Sequence, residues 1–245
     1  AFISFIPKVK AMNKYSWLLK FPSLYAWLAS KKSSVNYEKL LYLRSIKTGD
    51  VIFDIGANIG YYSILFAKLC GENGCVHCFE PVPETYQKLL QNLGSCKNAK
   101  LNNLAAADFE DTFEMSFDPN DPEKASLSFT PVSSELSRKV KVIPLDNYAK
   151  KIKLERLDFL KCDTEGYELQ AIKGMVNTLS THLPKLCIEI TLNRNQKVEL
   201  LELLLKIGYD SFQKVEKGFP TFDLKQEIKD REDYFYLYAT SSLAP

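Results

Sequence analysis

The stretch Val51–Ser63 constrains this chain more than any other. It opens as an apolar, β-favouring run from Val51 to Ile55 and turns at Gly56. From Tyr61 to Cys70 it carries apolar residues on one helical face. Strand, tight turn and helix are the opening of a nucleotide-binding βαβ unit. Gly56 can take a backbone conformation that a residue with a Cβ resists, and Gly60 lets the new helix pack close to the strand. Asp54, two residues ahead of Gly56, can accept hydrogen bonds or face a cation.

The spacing here is Asp-x-Gly-x-x-x-Gly, not the Gly-x-Gly-x-x-Gly of dinucleotide sites. Pyrophosphate needs bare backbone N–H groups at a helix start. This turn suits a nucleoside whose other end is positively charged, and S-adenosylmethionine (SAM) has that character. Taken alone, the motif is equally compatible with a plain strand-to-helix turn.

The next segments reinforce the nucleoside reading. Cys75–Phe79 is a second strand, stopped by Glu80-Pro81 because proline has no N–H to donate. Glu80 is thereby held at the carboxyl end of that strand, the edge where open α/β sheets bind ligands, and can accept both ribose hydroxyls. Pro83–Leu93 is a helix. Leu101–Ala107 is a third strand whose alanines form a small-residue floor, with Asp108 placed to meet an adenine amino group. Thr112–Phe117 and Lys139–Ile143 read as an antiparallel insertion, the second as an edge strand. The loop 118–138 is a candidate lid or acceptor-binding element. Leu157–Cys162 is a fourth strand ending at Asp163, followed by a helix over Tyr167–Leu179 and a fifth strand, Lys185–Thr191, that carries Glu189. After a helix over Gln196–Ile207 come two last strands, Tyr209–Val215 and Tyr234–Thr240. Tyr234, Tyr236 and Tyr238 share one side of the last strand and read as packing under a helix, with an aromatic wall as the alternative.

With 245 residues, 46% apolar and 25% charged, the chain suits one α/β domain with a small appendage. We divide it into an N-terminal helical cap, residues 1–47, and a main domain, 48–245, with an insertion at about 112–144. The cap's tryptophans among lysines suit packing on its own domain or a partner subunit, with peripheral membrane contact as the alternative. A net charge of +2 speaks against nucleic acid, and no apolar run is long enough to span a bilayer. The six cysteines read as reduced thiols in a cytoplasmic protein. Cys75 and Cys78 flank His77, but residues three apart on a strand point to opposite faces, so no zinc knuckle is expected.

Several motifs stand in series: Asp54-Ile-Gly-Ala-Asn-Ile-Gly-Tyr-Tyr-Ser63, Phe79-Glu-Pro81 with Asn92, Leu145-Asp146, Leu157-Asp-Phe-Leu-Lys-Cys-Asp-Thr-Glu-Gly-Tyr-Glu168, Lys173-Gly174, and Cys187-Ile-Glu-Ile190. Together, over about residues 50–192, they resemble the FkbM-like family of SAM-dependent methyltransferases. The resemblance implies an α/β, Rossmann-like class I methyltransferase fold: a seven-stranded, mostly parallel sheet with an antiparallel last strand. It implies O-methylation of hydroxyls on sugars, macrolides or related small molecules. SAM contacts carry over to Asp54, Gly56, Ala57, Asn58, Gly60 and Tyr61, to Glu80 and Pro81 at the ribose, and to Ala107 and Asp108 at the adenine. Where the family tends to have Val, this chain has Thr164.

Methyl transfer from a sulfonium needs an acceptor oxygen in line with the breaking bond, and a base for its proton. Asp163, at the carboxyl edge of strand four, is expected beside both cofactor and acceptor, with Glu165 as a second acid. Two alternatives stand for these acids: Glu165 caps the following helix, or Asp163, Glu165 and Glu168 hold a divalent metal. No metal ligands are assigned. The expected partner is a small-molecule or glycan acceptor. An NAD-dependent oxidoreductase, disfavoured by the glycine spacing and by the lack of a Tyr-x-x-x-Lys pair, and a SAM-binding protein without turnover are the competing functions.

Overall fold

The computed structural model describes residues 35–118, 121–126, 137–222 and 234–244. Its centre is β1 (Val51–Ile55), which pairs in parallel with β2 (Cys75–Phe79) on one side and β8 (Phe159–Cys162) on the other. Beyond β2 lies β3 (Ala99–Asn102), and beyond β8 lies β9 (Lys185–Ile190), both parallel. The sheet is completed by β11 (Phe235–Thr240) and β10 (Ser211–Lys214), giving seven strands in the order β10-β11-β9-β8-β1-β2-β3. β11 runs antiparallel to both its neighbours. This is the sheet expected above, with the reversed strand inserted between β9 and β10.

Alternation along the strands sorts the core into two faces. Phe53, Leu160, Ile188 and Leu237 face α4 (Leu145–Lys151), α5 (Glu168–Lys173), α6 (Val176–His182) and α7 (Arg194–Ile207). Ile52, Val76, Phe159 and Cys187 face α1 (Tyr37–Ser45), α2 (Tyr61–Cys70) and α3 (Pro83–Leu93). Asn36 caps α1 by accepting from Lys39 N at 2.7 Å, and Tyr42 is wholly buried with its ring edge-on to Tyr62, Phe66 and Phe159. α1 is therefore core on this face. Residues 1–34, the rest of the proposed cap, lie outside the described residues. No helix among the described residues is long and apolar enough to cross a membrane, and all six cysteines are free.

Three local expectations need correction. The third strand ends at Asn102, not Ala107. Asn103 turns its side-chain amide to donate to the carbonyls of Glu80 and Pro81, at 2.8 and 2.9 Å, and pins the chain where it leaves the sheet. Ala105–Ala106 then forms β4, which joins a second sheet in the order β4-β7-β5-β6 with β5 (Asp111–Asp118), β6 (Asp121–Ser126) and β7 (Ser137–Ile143). β7 is consequently an interior strand, paired with both β4 and β5, where an edge strand was expected. Of the loop 118–138, residues 121–126 are strand and most of the remainder lies outside the described residues.

The third correction concerns Tyr167–Leu179, which is two helices, α5 and α6, broken at Gly174-Met175. Gly174 lies against Ala107, whose carbonyl oxygen would be 2.0 Å from a Cβ at this position. The fresh helix start is satisfied from outside: Asp146 of α4 accepts from the backbone N–H groups of Asn177 and Thr178 at 3.1 and 2.8 Å. Leu145-Asp146 and Lys173-Gly174 thus build the support beneath the site.

Candidate active site

The register of the sheet assembles the site. Asp54 of β1 is paired with Lys161 of β8, Lys161 with Cys187 of β9, and Glu189 of β9 with Tyr236 of β11. With side chains alternating, Asp54, Lys161, Asp163, Glu189 and Tyr236 project to the α1–α2 face near the carboxyl ends of the parallel strands. Lys161 is buried among them, 2.9 Å from Asp163 Oδ2 and 3.8 Å from Asp54 Oδ1. Tyr236 donates to Asp163 Oδ2 at 3.2 Å and to Glu189 Oε1 at 3.4 Å. From the helices, Ser63 donates to Asp54 Oδ2 at 2.6 Å, and Tyr42 and Tyr62 both donate to Glu38.

The electrostatics of this cluster follow from its burial. Burial opposes the Lys161 charge, but Asp163, Asp54 and Glu38 outweigh it and hold the ammonium well above the ordinary lysine range. Burial also pushes Asp163 up, yet the charge and hydrogen bond of Lys161, with Tyr236, keep it below the usual carboxylate value. Burial raises Asp54 and Glu38, against the pull of Lys161. Glu189 moves up from the carboxylate range, first through burial and then through the neighbouring Asp163, Glu165 and Glu168.

The glycine turn is closed on itself. Gly56 N and Ala57 N both donate to Phe79 O, Asn58 N to Glu80 Oε2, Ile59 N to Asn58 Oδ1, and Gly60 N to Ala57 O. Every N–H from Gly56 to Gly60 is spent inside the protein, so none is bare for a pyrophosphate. Asn92 donates to Ile59 O at 2.7 Å and ties the turn to α3. Gly56 has φ +76°, and a Cβ there would lie 1.7 Å from the carbonyl oxygen of Asp163. The β1 turn and the end of β8 therefore touch, backbone to backbone. Gly60, with φ +89°, sits over Leu89 and Leu93, and Tyr61, half-buried, begins α2.

Glu80 bridges the turn to the next loop. It is buried, and its two oxygens accept from Asn58 N and Val82 N, each at 2.9 Å. Burial raises it to about 7, opposed by those two bonds. Val82 packs with Ala107 and Tyr167, so the Glu80-Pro81 corner, the Ala107 floor and the loop after β8 share one small cluster. Asp108 is exposed beside it.

After Asp163 the backbone turns through two left-handed residues, Glu165 at φ +54° and Gly166 at φ +100°. Glu168, fully buried, holds that turn: its Oε1 accepts from Thr164 N, Thr164 Oγ1 and Gly166 N, at 2.9, 2.9 and 3.1 Å. Asp163, Glu165 and Glu189 each present an oxygen, and these three lie within 4.8 Å of one another. Glu189, Lys161 and Tyr236 were not picked out as site residues from the sequence. The signal was there, as one charged residue inside each of two apolar strands. Tyr236, read as packing, also holds Asp163.

The family model for the methyltransferase FkbM domain matches residues 54–211, well over half of the chain. The chain belongs to the FkbM methyltransferase domain family. The match runs past the motif series, which ended near residue 192. Hexuronic acid methyltransferase AglP of Haloferax volcanii is 30% identical over 141 residues, 58% of this chain and 56% of that protein. The 31-O-demethyl-FK506 methyltransferase FkbM of Streptomyces tacrolimicus is 37% identical over 83 residues, 32% of each chain. This chain therefore spans about half of the first relative and a third of the second. The crystal structure of methyltransferase FkbM from Methylobacillus flagellatus KT superposes over 92% of this chain and 60% of its own, with a TM-score of 0.51 at 16% identity. That similarity establishes the shared fold.

Proposed function

We propose that this FkbM-family domain is a SAM-dependent O-methyltransferase acting on a hydroxyl of a sugar or other small polar molecule. The observation that carries the reading is the spent glycine turn meeting Asp163, with acids on both sides: Asp54 and Glu80 toward the nucleoside, Asp163, Glu165 and Glu189 beyond. An acidic cluster beside a turn without free N–H groups suits a cationic nucleoside and not a dinucleotide. The buried Asp54 Oδ1 has no hydrogen-bond partner among the described residues, which fits a site that receives donor groups. Glu80 and Pro81 would take the ribose, Ala107 and Asp108 the adenine, and Asp54, Gly56, Ala57, Asn58, Gly60 and Tyr61 the amino-acid end and turn. When bound, SAM supplies an electrophilic methyl group. The protein's part is alignment, with Asp163, locked by Lys161 and Tyr236, fixing the position of the acceptor hydroxyl and Glu165 standing beside it. The two curated relatives are named for a hexuronic acid and for 31-O-demethyl-FK506; the second name puts the methyl group on oxygen, and a hexuronic acid offers hydroxyls beside its carboxylate.

The reading is tested by calorimetry with S-adenosylhomocysteine, followed by tritiated-methyl transfer to a panel of hexuronic acids and other polyols. An Asp163→Ala variant is expected to lose at least about a hundredfold in turnover. Equal turnover in this variant would remove Asp163 from the mechanism, and binding of NAD in place of S-adenosylhomocysteine would overturn the reading.

Glu80 adds a pH dependence. Its raised value means the folded state holds a proton that the unfolded state releases, so the stability of the free protein falls as pH rises from about 4.5 toward about 7. Ribose hydroxyls need the ionised form, so affinity for S-adenosylhomocysteine should climb over pH 6–8, by up to about tenfold. Glu80→Gln should flatten that profile. A flat profile in the parent protein would show that Glu80 does not meet the ribose.

A further inference from the structure

We infer that Asp163, Glu165 and Glu189 form a binding site for one hard divalent cation, Mg²⁺, Mn²⁺ or Ca²⁺, on the acceptor side of the crevice. The three carboxylates come from the end of β8, the left-handed turn after it, and β9. Their nearest oxygens fall within 4.8 Å of one another. Two oxygens on opposite sides of a Ca²⁺ ion are about 4.6–5.2 Å apart and of Mg²⁺ about 4.0–4.2 Å, so the set closes on either ion with small side-chain shifts. An all-carboxylate donor set selects such ions over zinc or copper.

The independent sign of a missing ligand is Glu189. The residue is 3% exposed, its Oε1 takes a 3.4 Å bond from Tyr236, and its Oε2 is buried with no hydrogen-bond partner among the described residues. A carboxyl oxygen sealed from water and left without a partner is costly, and proteins rarely keep one unless something else meets it. Charge agrees. Three acids surround the place, and the cation beside them, Lys161, is shared among Asp163, Asp54 and Glu38. Glu168, which the sequence suggested as a third ligand, stands outside the trio: its Oε1 is committed to three donors of the turn and its Oε2 accepts from Thr191 Oγ1 at 3.4 Å.

The inference rests on the methyl-transfer reading for its purpose, though not for the binding itself. A cation there would take the acceptor hydroxyl as a further ligand and make it more acidic. In the transfer the O–CH₃ bond forms as the S–CH₃ bond breaks. The electron pair of the broken bond stays on sulfur, leaving neutral S-adenosylhomocysteine, and the hydroxyl proton passes to water.

The test is an electron paramagnetic resonance titration of the full chain with Mn²⁺, with and without S-adenosylhomocysteine. One saturable site per chain is expected. Glu189→Gln and, on the exposed turn, Glu165→Gln should each weaken it by at least about tenfold, while Glu110→Gln, away from the cluster, leaves it unchanged. Either ligand variant suffices should the other not fold. No saturable site up to about 10 mM Mn²⁺, or binding unaffected by both ligand variants, would overturn the inference. Failure of S-adenosylhomocysteine to bind would instead sink the methyl-transfer reading, and the Mn²⁺ titration would still decide the cation site.

Discussion

Lys161→Met is expected to destabilise the protein by about 3–5 kcal/mol at neutral pH. Methionine fills a similar volume, so the loss is of charge. The ammonium lies 2.9 Å from Asp163, 3.8 Å from Asp54 and under the influence of Glu38, with a side-chain exposure of 3%. Without it, carboxylates in a dry layer face one another with no counter-charge, and their proton affinities rise further. Carboxyls that bind protons more tightly folded than unfolded lose stability as pH rises. The deficit of the variant relative to the parent should therefore be small near pH 4–5 and grow toward pH 8. Urea denaturation at pH 5 and pH 8 reads this directly. A pH-independent deficit would show that Lys161 matters for packing and not for charge.

Gly56→Ala is expected to cost about 4 kcal/mol or more and to abolish binding of S-adenosylhomocysteine. The added carbon would sit 1.7 Å from the Asp163 carbonyl oxygen, and the atom it strikes is backbone, which cannot rotate aside. The strand end and the turn must separate, pulling the β1 turn away from the end of β8 where Asp163 stands. Gly218 supplies the control. It too has a positive φ, +86°, but nothing lies within 4 Å of a Cβ there. Gly218→Ala should cost only the conformational strain, about 1–2 kcal/mol. Thermal unfolding and calorimetry of the pair separate strain from collision. Equal effects at the two positions would mean that the close approach of β1 and β8 is not essential.

The main sheet was readable because its strands are short apolar runs closed by Gly, Pro or an acid, and such runs speak locally. The helix break at Gly174 was not, because its cause is the carbonyl of Ala107, distant in sequence. The departure of β4 into another sheet was hidden for the same reason, since the asparagine that pins the corner bonds to residues more than twenty positions earlier. Asp54, Gly56, Glu80 and Asp163 were legible as ends of strands. Glu189 and Tyr236 were not, because their importance comes from register across β8, β9 and β11, and register is a property of pairs of strands. Glu168 shows the converse: a motif acid in the right place, spent on its own turn.

The reversed direction of β11 decides which stretch of polypeptide borders the acidic cluster. A strand laid parallel to β9 would bring its end to this rim and start at the opposite side of the molecule. Running the other way, β11 begins at the rim, so Tyr234 and Tyr236 arrive there directly from the connection that follows β10. Alterations at the start of β11 therefore act on the side that holds Asp163 and Glu189, while the glycine turn and Glu80, set by β1 and β2, stand apart from it.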